Sequence, residues 1–199
     1  MSIPPPSPDL RLHRTERLRL DAPGPEDLEP LHEIYADPRV WTHYPSQRFT
    51  DPAQTAAMLD RFQGSWQRAG LGPWIVRRHD ADPADPSTVL GNGGCDLRGQ
   101  EPDGLFWNLG YRLTPAVQGL GLAGELARAA VDAARALRPE LPVIAYLLEE
   151  NRASRRVAEK TGLCLRHRAP DAGNPDPQAV RLVLADRELT PAQLASALH

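Results

Sequence analysis

Lysine is almost missing from this chain. Of 23 basic residues 22 are arginine, and they are interleaved with 26 acids for a net charge of −3. A nucleic-acid partner ordinarily shows itself as a basic domain or stripe, so none is expected. Cysteine is also scarce. Cys95 and Cys164 stand far apart without C-x-x-C spacing, which excludes a disulfide framework and a cysteine zinc site. The six histidines, His13, His32, His43, His79, His167 and His199, never pair at helical or strand spacing, and no metal is expected. No apolar run nears the roughly 18 residues of a membrane span, so the chain has no membrane partner by this reading. Met1 to Pro8 holds four prolines and lacks the basic-then-apolar pattern of a secretory signal. It reads as an extended leader, and the expected location is cytoplasmic.

What remains is an ordinary globular composition, 41% hydrophobic and 25% charged over 199 residues, enough for one core. A disordered leader over 1–12, one domain over 13–189 and a tail over 190–199 are expected. Glu16 to Leu20 alternates charged and apolar residues as a half-buried strand does. Leu28, Leu31, Ile34 and Tyr35 fall on one helical stripe, with acids in its first turn. Val40 to Tyr44 reads as an aromatic loop. Asp51-Pro52 is an N-cap with proline at the first helical position, opening a helix through Ala69. Trp74 to Val76, Thr88 to Leu97 and Leu105 to Leu113 read as three antiparallel strands, and Gly91, Gly93 and Gly94 suggest a bulge or a tight backbone approach. Beyond them come a helix over Leu122 to Leu137, a strand over Val143 to Leu148 and a short helix over Asn151 to Thr161. One or two strands ending in Gln178 to Ala185 follow, and the tail from Thr190 has room for a helix. The fold class is α/β without repeats, and only the second half has strand-helix-strand order.

The segment Gln118-Gly-Leu-Gly-Leu-Ala-Gly124 follows a strand and opens a helix. Small residues there let backbone N–H groups approach a ligand, and the helix N-terminus favours negative charge, so phosphate or pyrophosphate is the natural guest. Gly119, Gly121 and Gly124 also satisfy the dinucleotide fingerprint, and Glu149 ends the next strand where a ribose-binding acid belongs. Against this, only 75 residues follow Gly124, and five residues separate strand from first glycine. The plain alternative is that these glycines only let the helix pack on the sheet.

At this point the residues resemble the GCN5-related N-acetyltransferases (GNAT), particularly the branch of the RimJ/RimL-type ribosomal-protein alanine acetyltransferases. Gln118 to Ala123 fits the family's Q/R-x-x-G-x-G/A loop. Asn151-Arg-Ala-Ser154 and its continuation through Gly162-Leu looks like the branch's N-x-x-S-x-x-V-x-E-K-x-G-F segment. Thr15 to Leu20 with Pro25 to Leu28, and Leu109 to Leu113, supply two further landmarks, together spanning roughly residues 13 to 186. The resemblance implies a mixed, mostly antiparallel central sheet flanked by helices, and an acyl-CoA-dependent N-acyltransferase. Acetyl-CoA would be its co-substrate, with no metal. It further implies that the backbone of Gln118, Gly119, Leu120, Gly121, Leu122, Ala123 and Gly124 binds the pyrophosphate, that the strand ending at Leu113 meets the pantetheine arm, and that Asn151 and Ser154 hold the other side. Asn151 reads equally as a helix cap, and Ser154 as an exposed helix serine. By the same resemblance Ser154 would protonate the departing thiolate.

The acceptor would be a primary amine, on a small molecule or a peptide N-terminus, attacking the thioester directly. Its proton must go to a base or a water chain, while alignment and oriented N–H donors supply the rest. Many relatives carry glutamate where Asn108 stands and others a tyrosine acid where Ala158 stands. Glu149, Glu150 and Glu101 are candidates for a substitute base, each equally a solvated surface acid. The alternative is a catalytically silent CoA-binding regulatory module. Trp41, His43, Tyr44 and Trp107 are candidates to line the acceptor pocket, or else core aromatics. Exposed sheet edges leave room for a homodimer.

Overall fold

The computed structural model describes residues 9–101 and 103–198. The Met1 to Pro8 part of the expected leader lies outside them.

Strands β1 (Leu12–Arg14) and β2 (Leu18–Asp21) form an antiparallel pair. Helix α1 (Leu28–Ala36) follows a 3-10 turn, and a second turn at Pro38–Trp41 occupies part of the expected aromatic loop. Helix α2 (Pro52–Ala69) begins where the sequence places it. The Ala53 N–H donates to Asp51 Oδ1 at 2.8 Å and Gln54 Oε1 accepts from the Asp51 N–H at 3.1 Å, a reciprocal cap that satisfies donors the helix itself leaves free. Strands β3 (Trp74–Arg78), β4 (Gly91–Arg98) and β5 (Phe106–Leu113) then meander antiparallel. The β4–β5 register runs unbroken from Gly91↔Leu113 to Arg98↔Phe106, so the glycines of β4 mark no bulge on this ladder. They mark close approach: a Cβ at Gly91 would sit 2.0 Å from the Arg112 carbonyl oxygen.

Helix α3 (Leu122–Leu137), strand β6 (Val143–Leu148), helix α4 (Arg152–Lys160), strands β7 (Cys164–Pro170) and β8 (Val180–Ala185) and helix α5 (Pro191–Leu198) complete the chain. The sheet order is β1-β2-β3-β4-β5-β6-β8-β7. Sequence periodicity misses β1, which is three residues long, and marks β7 only as an optional strand. The reason is physical: β7 is a sheet edge with no buried residue, so it has no apolar face to alternate.

Helices α1 and α2 cover one face, setting Leu31, Ile34 and Phe62 against Ile75 of β3. Helix α3 covers the other, setting Leu126, Ala130 and Val131 against Trp74, Trp107 and Leu109. Burying each large side chain contributes about 1.5–3 kcal/mol. The feature that makes a site is the junction of β5 and β6, which pair in parallel at only Trp107↔Val143 and Asn108↔Ile144. Past those positions β5 stays bonded to β4 and β6 to β8, so the two strands part and leave a gap between them.

Candidate functional site

The C-terminal end of β5 leads through a 3-10 turn at Pro115–Val117 into the glycine loop, and the loop into α3. Gly119 and Gly121 both have φ of 78°, a left-handed conformation that costs an ordinary residue roughly 1–2 kcal/mol. No heavy atom would lie within 4 Å of a Cβ at Gly119, and at Gly121 only Arg17 Nη2 would, at 3.6 Å. The loop therefore opens outward over α3, whose N-cap, Gly121, offers no side-chain cap to the first-turn amides. Such an arrangement can cradle an anion: backbone donors, a favourable helix dipole and room for oxygen atoms.

A part-buried brace fixes this loop. Arg17 Nη1 donates to the Leu120 carbonyl at 2.8 Å and Arg17 Nε to Glu125 Oε2 at 2.6 Å. Glu125 Oε1 accepts from the Arg17 N–H at 2.8 Å and from Thr15 Oγ1 at 2.5 Å. Burial alone would raise the Glu125 carboxyl, but the hydrogen bonds from Thr15 and Arg17, with the guanidinium charge, outweigh it and hold the group below its ordinary value. Gln118 Nε2 reaches back to the Leu113 carbonyl at 3.4 Å. The side chains of Leu113 and Leu122 are buried in the core, which leaves only their backbones for a ligand, while Leu120 is 51% exposed.

Helix α4 forms the second wall of the gap. Asn151 Oδ1 accepts from the Ser154 N–H at 3.1 Å, the cap its sequence position suggests, and Ser154 is half-buried in the first turn. The phenol of Tyr111, reaching from β5, donates to the Ser154 carbonyl at 3.0 Å. Burial pushes that phenol up to about 12, the hydrogen bond to Ser154 only partly offsetting it, so it stays a donor at neutral pH. No local motif of the sequence singles out Tyr111. Its signal is its place in alternation with Trp107, Leu109 and Leu113, on the α3 side of β5.

Asn108, Gly110 and Arg112 alternate onto the opposite face, toward α1. Arg112 stacks 3.6 Å over the Trp41 ring, lies 5.5 Å from the Tyr35 ring centroid and donates from Nη1 to the Val40 carbonyl at 2.8 Å. No carboxylate pairs with it among the described residues. Beside this wall lies a cleft of about 510 Å³, lined among others by His43, Tyr44, Glu149, Glu150, Asn174 and Asp176. The cleft thus joins three segments far apart in sequence: the stretch after α1, the end of β6 and the β7–β8 connection. Burial first, and the charge of Arg112 second, push the His43 imidazole below its ordinary value.

Several expected side chains are not in the cleft. Trp107 is wholly buried in the core, because β5 turns that face toward α3. Trp41 is buried beneath Arg112, its Nε1 donating to the Tyr35 carbonyl at 2.6 Å, and supports the wall from behind. Glu101 is exposed in the β4–β5 connection, outside the cleft lining. Glu149 is held by Arg168 through bonds of 2.8 and 2.7 Å, chiefly by which its carboxyl lies below the ordinary range. A ribose-binding role for it falls with the dinucleotide reading, which needs a parallel sheet where this one has a single parallel pair among the described strands. Among the described residues no three of His, Cys, Asp and Glu gather as a metal site, and no helix is long and apolar enough to cross a membrane.

The acetyltransferase (GNAT) domain family matches residues 17–163. An acetyltransferase from Agrobacterium tumefaciens str. C58 superposes with a TM-score of 0.65 at 25% identity, over 92% of this chain and 95% of the other. A GNAT-family acetyltransferase from Bacillus anthracis gives 0.68 at 19% identity, over 87% and 96%. RimL, a ribosomal L7/L12 alpha-N-protein acetyltransferase solved with coenzyme A, gives 0.64 at 20%, over 88% and 96%. The last two likenesses are of fold.

Proposed function

The chain belongs to the GNAT acetyltransferase family, and from that premise we propose that it transfers the acetyl group of acetyl-CoA to a primary amine, on a small molecule or a peptide N-terminus, by direct attack. The observation that carries this reading is the coincidence of the left-handed glycine cradle with the parting of β5 from β6. A pyrophosphate on the amides of Gly119 to Ala123, those of Gln118 and Gly124 being bonded instead to the Pro115 and Gly121 carbonyls, would set the pantetheine arm along the free edge of β5 toward Gly110. The thioester then lies between the α4 wall and the cleft of His43 and Glu150.

Each wall has a distinct part. Unpaired N–H groups along the diverging edge of β5 are the donors available to a developing oxyanion. On the α4 side Ser154 supplies a hydroxyl for the departing thiolate, which with a reference pKa of about 8.5 leaves readily even to a weak acid. On the other side the cleft admits the amine, and close alignment of the two substrates supplies much of the acceleration. The branch suggested by Asn151 to Gly162, acting on protein N-termini, is the finer form of the proposal.

Thermal unfolding with and without acetyl-CoA tests the cofactor half, since a ligand of the native state alone raises stability by about 2.7 kcal/mol at a hundred times its dissociation constant. Release of free CoA thiol on adding amines tests the other half. An unchanged melting point at millimolar acetyl-CoA overturns the cofactor site. A raised melting point with no thiol release from any peptide or small amine leaves a silent CoA-binding module in its place, motivated by Asn108.

A further inference from the structure

We propose that His43, lining the acceptor cleft beside Arg112, is the group that takes the proton from the attacking amine. The inference rests on the acetyl-transfer reading and adds the residue that performs its proton transfer. It begins from a deficit. Asn108 lies on the face of β5 turned away from α3, where the family resemblance implies a carboxylate, and an amide cannot accept a proton at neutral pH. Of the acids in the cleft, Glu149 is held in a bidentate pair by Arg168 and is a poor proton acceptor for that reason. Glu150 and Asp176 are exposed at the rim.

His43 differs from all three. It is the one imidazole in the cleft lining, half-buried, and carried by the short stretch that ends at Tyr44 after the 3-10 turn of Pro38–Trp41. The turn is fastened to β5 by Arg112, whose guanidinium lies on the Trp41 ring and binds the Val40 carbonyl. The same fastening sets a permanent charge beside the imidazole. Burial and that charge both disfavour imidazolium, so His43 stands neutral at pH 7 with a lone pair to offer. The charged and titratable groups around it are Arg112 from β5, whose charge acts on it, and, in the same cleft lining, the adjacent Tyr44, Glu149 and Glu150 after β6 and Asp176 from the β7–β8 connection. Of the three acids, which pull the other way, Glu149 is neutralised by Arg168 and the other two are screened by solvent.

The step balances simply. The amine nitrogen gives a proton to a ring nitrogen of His43 and its electron pair to the thioester carbonyl carbon. The C–N bond forms, the C–S bond breaks, and the sulfur leaves with the bonding pair and takes up a proton from the Ser154 side or water. Imidazolium then returns its proton to solvent. Arg112 acts through His43 and is a positioning residue.

Two measurements on the full chain test this. The imidazole resonances, isotope-labelled, are titrated by NMR, with His43→Gln to assign the signal. The pH profile of kcat/KM is recorded with acetyl-CoA and three amine probes: an alanine-initiated peptide, an amino-acid amide and a linear diamine. His43 is expected to titrate below about 6.5, the ordinary histidine value, moving up toward it in Arg112→Gln and staying low in Arg112→Lys. His43→Gln is expected to lower kcat about a hundredfold and remove the acid limb of the profile, with free imidazole restoring part of the rate in His43→Ala. Retention of kcat and of the limb in His43→Gln overturns the proposal. So does an imidazole that titrates at or above its ordinary value in the unaltered protein. Absence of turnover by the unaltered protein on all three probes counts against the acetyl-transfer reading instead, and the titration still decides whether His43 is fit for the role.

Discussion

The two walls of the β5–β6 gap are built on different principles. On the α3 and α4 side the proposed binding surface is backbone: glycine amides, a helix N-terminus and a capped first turn, held by the part-buried Thr15–Arg17–Glu125 brace. On the α1 side it is side chain, drawn from the segments 42–46, 148–150 and 174–180, which lie far apart in sequence. A backbone cradle suits a ligand that never changes, since its geometry is set by φ and ψ and hardly by residue type. A cleft of loop side chains suits an acceptor that differs from one relative to the next. The contrast predicts that substitutions on the first side act through cofactor binding, and those on the second through turnover.

The largest effect is expected at Gly121. Valine there meets a φ of 78°, and relaxing that strain moves the amides of the cradle. Losing about two charge-assisted hydrogen bonds costs about 3 kcal/mol, a weakening of acetyl-CoA binding by roughly a hundredfold, read by calorimetric titration. Gly119→Val should do the same. Normal affinity in both variants would mean that the loop merely packs the helix.

Next in size is Glu125→Gln. Arg17 is 46% exposed and can regain water, so the loss is smaller than for a fully buried pair, about 1–2 kcal/mol by denaturant unfolding. Its pH signature is specific. The folded carboxyl lies below its unfolded value, so its stabilisation is present above about pH 4.5 and is lost as pH falls through the folded pKa. Glu125→Gln should flatten the fall of the melting point between about pH 5 and 3. A slope equal to that of the unaltered protein would show that the brace carries no linkage.

That brace also marks where sequence reading stops. The helices α2 and α3, and β6 between α3 and α4, are legible because caps, alanine spacing and a continuous apolar run are local signals, and the cradle is legible because glycine at a strand-to-helix turn has few other uses. Thr15 and Glu125 lie 110 positions apart, and no local pattern announces that they meet. The cleft proposed for the acceptor is hidden for the same reason. His43 and Tyr44 do reach it, as their aromatic stretch suggests, whereas Trp41 and Trp107 do not, because aromatic residues serve cores and pockets alike and only the facing of β5 separates the two uses.

Gly110→Ala is expected to separate stability from turnover. A Cβ at Gly110 would meet only Asn108 Nδ2, at 3.9 Å, so the fold accepts it within about 0.5 kcal/mol. The methyl group enters open space on the face of β5 turned away from α3, beside the course proposed for the thioester, where displacing the reacting groups should cost about tenfold in kcat with acetyl-CoA affinity kept. Unchanged kcat would place the reacting atoms elsewhere along β5.

The smallest effect is expected at Trp107→Phe, and its smallness is what makes it informative. The indole is wholly buried, and its Nε1 has no hydrogen-bond partner there. Replacement by phenylalanine removes an unsatisfied donor whose burial costs about 1–3 kcal/mol, and loses packing of similar size through the smaller ring, so the melting point should shift by no more than a few degrees. Because the face of β5 that bears Trp107 looks into α3 and not into the cleft, KM for the acceptor should be unchanged. A raised acceptor KM at an unaltered melting point would place Trp107 in contact with substrate, and the division of β5 into a core face and a cleft face would then have to be redrawn around it.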